Sequence, residues 1–211
     1  LKGVKTEDKL DSGKGKERVL VGMSMRHWPD SMATDMTGDN MLFSNDAFGQ
    51  HLASERLYND LVDQGDLFDE AIKYYANIIT PFSAILRKKL DEIIALNLPI
   101  DIIATSHGII WRDNPMQIVE KYVQWANDYQ ENQITIIYDT MWNGTKTIAE
   151  KIAEGIFEQD KDVQIKVFNL AKSDENDLIT EIFKSTTVLI GSPTVGNSVL
   201  HSVAGFVHMV K

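Results

Sequence analysis

The feature that most constrains this chain is the rhythm of residues 134–210. Apolar, β-type runs at Ile134–Tyr138, Val163–Leu170 and Val188–Gly191 alternate with helical patterns at Thr147–Glu158, Glu175–Lys184 and Val199–Val210. Each strand is separated from the next by enough chain for a helix to cross the sheet, so successive strands return parallel. The rhythm therefore predicts an α/β unit built on a parallel sheet. In doubly wound sheets of this kind, ligands bind outside the carboxyl ends of the strands.

Upstream of Glu131-Asn132-Gln133 the organisation changes. Residues 1–17 are polar, and Arg18–Met23 reads as the first strand. Met41-Leu42-Phe43-Ser44 reads as another, entered by the turn Thr37-Gly38-Asp39-Asn40. A helical pattern runs from Leu67 to Thr80, with Phe68, Ile72, Tyr75 and Ile79 on one face. Pro81 can open a second helix, which carries the apolar stripe Phe82, Ile85, Leu86, Leu90, Ile93 and Ile94. Asp101–Thr105 reads as a buried strand, and Asn114-Pro115 starts a helix that runs to near Gln130. Two α/β modules in tandem, residues 1–131 and 132–211, are the expected organisation.

Composition narrows the function classes. The net charge of −10 and the lack of a basic cluster argue against a nucleic-acid surface. No apolar run approaches a membrane span, and no signal peptide is visible, so the expectation is a cytoplasmic protein without a membrane partner. With no cysteine, disulfides, thiolate metal sites and iron–sulfur ligation cannot form within these residues.

Two sets of loops carry chemistry. After strand Ile134–Tyr138 comes Asp139-Thr140-Met141-Trp142-Asn143-Gly144-Thr145, with hydroxyls at Thr140 and Thr145 and backbone freedom at Asn143-Gly144. Such a loop delivers its N–H groups at a helix N-terminus, where an anion is favoured. Neither a Gly-x-Gly-x-x-Gly fingerprint nor a lysine-bearing P-loop is present, and an ordinary capped βα turn would look similar. The loop Gly191-Ser192-Pro193-Thr194-Val195-Gly196-Asn197-Ser198 follows the third strand on the same sheet edge, which favours a shared ligand. In the first module, His27, Asp46 and His107 stand at loop positions beyond short apolar runs. Carboxylate and imidazole donors there suit a borderline metal such as iron or zinc. His51, His201 and His208 read as structural residues.

Strand-Thr-x-x-x-x-Thr-helix followed by Gly-Ser-Pro-Thr after the third strand resembles the flavodoxin-like FMN domain. The resemblance implies that Thr140, Met141, Trp142, Asn143, Gly144 and Thr145 surround the FMN phosphate. It implies that Ser192, Pro193, Thr194 and Asn197 border the ribityl chain and ring, with Trp142 able to shield the flavin. The segments His-Trp-Pro-Asp-Ser-Met, Ser-Asn-Asp-Ala-Phe-Gly-Gln-His, Tyr-Tyr-Ala-Asn-Ile-Ile-Thr-Pro-Phe-Ser and Ala-Thr-Ser-His-Gly-Ile-Ile-Trp-Arg-Asp-Asn-Pro resemble those of flavodiiron proteins, in the same order. Within that family the likeness is to flavorubredoxin-type nitric oxide reductases. This resemblance implies the C-terminal part of a metallo-β-lactamase-like αββα domain followed by the N-terminal part of a flavodoxin-like doubly wound sheet. It implies two non-haem irons, with His27 and His107 each ligating one and Asp46 bridging them.

The same resemblance implies electron flow from FMN to the diiron site and reduction of nitric oxide to nitrous oxide, or of dioxygen to water. It further implies a rubredoxin or rubredoxin-like electron donor with its reductase, and a head-to-tail homodimer or tetramer. The chain departs from the family in two places. A His-x-Glu-x-Asp motif is expected upstream of His27 and does not occur, and a third flavin loop is expected beyond Lys211. These departures lead to the expectation that the chain is the middle of a larger protein, inactive by itself. A zinc-dependent hydrolase on the metallo-β-lactamase fold is the alternative, weakened by the flavin-type loops, since hydrolysis needs no flavin.

Overall fold

The computed structural model describes residues 8–22 and 32–210 and divides into two compact units, Leu1–Asp128 and Tyr129–Lys211. In the first unit, β1 (Lys9–Asp11), β2 (Glu17–Gly22), β3 (Met32–Met36), β4 (Met41–Asn45) and β5 (Ile102–Thr105) form one sheet in sequence order. Neighbours are antiparallel up to β4, and β5 then pairs parallel to it. Two of these strands carry no pattern that sequence reasoning could use. β1 is exposed throughout, and β3 places Asp35 at a buried position where an apolar side chain is expected. Each is held by its ladder to β2 rather than by its own periodicity. The turn ahead of β4 forms as the residues suggest, with Gly38 (φ 84) and Asn40 (φ 49) in left-handed conformations.

The helical pattern from Leu67 to Thr80 splits. Helix α1 spans Gln64–Tyr74, begun by the Asp63 carboxylate accepting the Asp66 N–H at 3.0 Å. It widens into a π-helical turn at Tyr75–Ile79, then tightens into a 3₁₀ turn at Thr80–Phe82 before helix α2, Ser83–Ala95. Pro81 lacks the N–H that would continue the first helix, and the ladder changes pitch just before it. Helix α3, Met116–Trp125, stops short of Gln130, with Asp128 left-handed at φ 53.

An aromatic layer fills the core of this unit. Tyr75 and Tyr122 meet edge-on at 5.1 Å, and Phe48 lies 4.8 Å from Tyr122. Phe48 takes φ 66, a conformation unfavourable for a bulky residue. Two hydrogen bonds hold it there. Its N–H donates to Tyr122 Oη at 3.1 Å, and its carbonyl accepts the Trp111 indole N–H at 2.9 Å. The chain leaving β4 is thereby pinned to α3 and to the segment after β5.

The second unit contains β6 (Glu131–Tyr138), α4 (Gly144–Gln159), β7 (Gln164–Asn169), α5 (Glu175–Lys184), β8 (Ser185–Gly191) and α6 (His201–Met209). The three strands are parallel in the order β7-β6-β8, as the alternation predicts. Ile137 packs with Leu178, Val203 and Phe206 on one face, while Ile136 and Tyr138 pack with Ala149 on the other. Helices thus cover both faces of the central strand, which explains its nearly continuous apolar run. The polar triplet Glu131-Asn132-Gln133 belongs to β6 rather than to a linker. Gln133 is fully buried and its amide donates to Glu181 Oε2 at 2.8 Å and to Ser185 Oγ at 3.1 Å.

Candidate functional site

The parallel pairing of β4 and β5 builds the first cluster. Asn45 stands opposite Thr105 after a register shift, so the next residues, Asp46 and Ser106-His107, leave the sheet side by side. His107 Nε2 lies 3.7 Å from Asp46 Oδ1, and the Ser106 hydroxyl donates to the same oxygen at 2.8 Å. His107 Nδ1 lies 3.3 Å from the Gln50 carbonyl oxygen. The contact is a hydrogen bond when Nδ1 carries the proton, and in the neutral ring Nε2 then turns its lone pair towards the carboxylate. The two side chains keep 31% and 23% of their surface accessible, so the pair is open to a ligand.

The surroundings are aromatic. The His107 ring lies 5.1 Å from Tyr74 and 5.2 Å from His51, and the latter two meet edge-on at 5.1 Å. Burial, aided by the Asp46 carboxylate, pushes the Tyr74 phenol up to about 12, so it stays a neutral hydrogen-bond donor at physiological pH. Sequence reasoning left His51 and Tyr74 outside the site. Nothing in their local sequence marks them, because ring packing across the fold brings them there.

A carboxylate oxygen and an imidazole lone pair converging at a partly open edge fit a divalent cation. Among the described residues no group of three or more His, Asp or Glu side chains converges. His27 lies outside the described residues, so Asp46 and His107 are the predicted metal-site residues brought together. His201 and His208 lie exposed on α6, in the other unit.

The second cluster sits at the carboxyl edge of the parallel sheet. Asp139, at the end of β6, accepts the Thr140 N–H at 2.7 Å and the Ser202 hydroxyl on its other oxygen. Asn143 turns left-handed (φ 61) and starts α4 without a side-chain cap. The first N–H groups of α4 are thus left without a capping side chain, the arrangement that receives an anion at a helix N-terminus. Thr140 Oγ1 is buried there without a hydrogen-bond partner among the described residues. A buried hydroxyl left unpaired costs stability unless a ligand completes it. Thr145 reaches back to β8, where a Cβ on Gly191 would lie 3.1 Å from its Cγ2 and 3.3 Å from Tyr138 Cβ. Gly191 therefore lets the two loops approach.

The β8 loop is ordered by its own bonds. Ser192 Oγ accepts the Leu200 N–H at 2.9 Å, and Val195 and Ser198 pair across a tight turn with Gly196 and Asn197 left-handed. Thr194 and Asn197 are exposed, and Pro193 is half-buried. On the first loop Met141 is half exposed and Trp142 is 88% exposed, so Trp142 covers nothing within this unit. The uncapped helix start, the unpaired Thr140 hydroxyl and the close-packed Gly191 together fit a phosphate-bearing ligand.

Comparison with known proteins places both units in known company. Residues 136–207 match the Flavodoxin family. The chain is 56% identical over 207 residues to the anaerobic nitric oxide reductase flavorubredoxin of Salmonella arizonae, covering 98% of this chain and 43% of that protein. The rubredoxin oxygen:oxidoreductase of Desulfovibrio gigas superposes with a TM-score of 0.94 at 30% identity, over 99% of this chain and 52% of that one. The flavodiiron protein of Giardia intestinalis superposes with a TM-score of 0.91, also at 30% identity, over 98% of this chain and 50% of that one. The chain therefore spans about half the length of the relatives it matches. Its first unit has the metallo-β-lactamase-like fold of these proteins and its second the flavodoxin-like fold. Joined in this order and matched along nearly its whole length, the two units are similar to successive parts of the flavodiiron proteins.

Proposed function

We propose that this chain forms part of a flavodiiron oxidoreductase, with residues 1–131 contributing to the metal-binding domain and residues 132–211 to the FMN domain. When bound, FMN and the two non-haem irons would supply the redox chemistry that reduces nitric oxide to nitrous oxide, or dioxygen to water. The observation that carries the reading is the buried, unpaired Thr140 hydroxyl at the uncapped start of α4. A hydrolase has no use for such a phosphate cradle attached to its metal domain.

In this reading Thr140, Asn143, Gly144 and Thr145 hold the FMN phosphate through hydroxyls and backbone N–H groups. Ser192, Pro193, Thr194 and Asn197 border the ribityl chain and ring, and the exposed Met141 and Trp142 flank the same edge. Asp46, His107 and His27 ligate iron, with the Gln50 carbonyl holding His107 in the ligating tautomer. Names that the relatives carry, flavorubredoxin and rubredoxin oxygen:oxidoreductase, support a redox protein as electron source. We assign that role to a rubredoxin or rubredoxin-like donor with its reductase, and the working assembly to a head-to-tail homodimer or tetramer.

The test is a pair of substitutions in the full-length protein, read by iron content and flavin absorbance. Asp46→Ala should remove iron and leave FMN, while Thr140→Ala should weaken FMN and leave iron. If both changes act on the same cofactor, the division into two sites is wrong.

A further inference from the structure

Three consecutive residues each touch the His107 imidazole. A Cβ added to Gly49 would lie 2.7 Å from His107 Cε1 and 3.0 Å from Nδ1, so the ring rests directly against bare backbone. Gly49 is not in a left-handed conformation, and its lack of a side chain serves space rather than backbone freedom. The next residue, Gln50, offers its carbonyl oxygen to Nδ1 at 3.3 Å. The third, His51, packs its ring 5.2 Å from that of His107 and edge-on to Tyr74, which packs against His107 in turn.

The Gln50 side chain ties this segment to the loop that carries His107. Its Oε1 accepts the Ile109 N–H at 2.6 Å and its Nε2 donates to the Ile109 carbonyl at 3.2 Å, with the whole residue buried. The segment and the ligand loop are therefore tied together by two buried hydrogen bonds. A carbonyl facing Nδ1, a restricted ring and a tied segment are what a ligand needs to meet a metal without reorganising.

We infer that Gly49-Gln50-His51 is a positioning saddle for His107, with His51 acting through ring packing and not as a ligand. The inference rests on the reading of His107 as a metal ligand. It assigns Gly49 and His51 a role in metal affinity that needs no direct coordination by either.

The test uses the metal-free full-length protein titrated with Co²⁺, following the visible ligand-field spectrum, with FMN content as a control. Gly49→Ala and His51→Ala should each weaken binding by about 10-fold or more and alter the spectrum, while His51→Phe, which keeps a packed ring, should restore most of both. The loss of melting temperature in Gly49→Ala should shrink when His107→Ala removes the ring it strikes, leaving only the contact 3.1 Å from the Asp46 carbonyl oxygen. Parent-like binding by Gly49→Ala and His51→Ala, alongside a defect in His107→Ala, overturns the saddle but leaves the metal site standing. Parent-like binding by His107→Ala overturns the site reading itself. If Gly49→Ala does not fold, the contrast between His51→Ala and His51→Phe decides the matter alone, and equal defects in both refute the ring-packing role.

Discussion

Gly108→Ala tests how the loop after β5 is held, and its effect can be worked from two features. Gly108 has φ 78, where an alanine costs about 1–2 kcal/mol. A Cβ there would also overlap both the side-chain Oε1 and the carbonyl oxygen of Gln50. Relief requires the Gln50 backbone to shift and its side chain to leave, breaking its two bonds to Ile109, each contributing about 1 kcal/mol. The Ile109 N–H would then be buried without a partner, for roughly another 1–2 kcal/mol. The expected loss is about 4–6 kcal/mol, a fall in melting temperature on the order of 10–20 °C for a protein of this size class.

Calorimetry reads the global effect, and hydrogen exchange over residues 105–112 reads the local one, with Ile109 expected to lose protection first. Adding Gln50→Ala should return part of the loss, because the overlapping side-chain oxygen is gone. Gly108→Asn should recover little, since asparagine tolerates the backbone conformation but carries the same Cβ. A Gly108→Ala protein within about 0.5 kcal/mol of the parent, with Ile109 still protected, would refute the reasoning.

Four further substitutions probe the two units separately. Burial pushes the Asp35 carboxyl above its ordinary value of 3.8, so the folded state keeps that proton longer than the unfolded state. Stability from this group is complete below 3.8 and falls as pH rises through the shifted value, so Asp35→Asn should stabilise at neutral pH and not at pH 3; denaturant titration at both pH values checks the sign. The Tyr129 phenol, raised to about 12 by burial and by donating to Glu131, should destabilise the second unit as pH climbs from 10 towards 12. Tyr129→Phe should remove that alkaline slope and cost about 1 kcal/mol at pH 7, measured by circular dichroism. Leu178→Ala, in the fully buried cluster with Ile137 and Phe206, should cost about 3–5 kcal/mol, whereas Ile148→Ala, at a site 62% exposed, should cost about 0.5 kcal/mol or less.

Much of the second unit was legible because its signals are local. The run Glu175–Lys184 carries an Asp174 cap, an acidic first turn and an apolar stripe, and the helix spans those same residues. The π-helical turn at Tyr75–Ile79 was not legible, because helical periodicity continues through it and only the hydrogen-bond ladder differs. β3 stayed hidden behind its buried Asp35, and β6 began earlier than its apolar run because Glu181 and Ser185 satisfy Gln133 from α5 and β8. In each case a distant partner overrode the local pattern.

The sites divide in the same way. Residue type and loop position were enough to single out Asp46, His107 and the Thr140–Thr145 loop, because carboxylate, imidazole and hydroxyl chemistry is written in the residues themselves. The order of the two modules and the parallel-sheet character of the second also follow from spacing along the chain. Only the tertiary structure decided that Asp46 and His107 meet, since the parallel register of β4 and β5 closes the long stretch between them. Tertiary packing likewise decided that the Gln50 carbonyl faces His107 Nδ1, that His51 and Tyr74 line its ring, and that Thr140 keeps a buried hydroxyl without a partner among the described residues. Sequence periodicity records how a segment faces its own core, whereas a site is made by side chains from segments whose closeness no local pattern encodes.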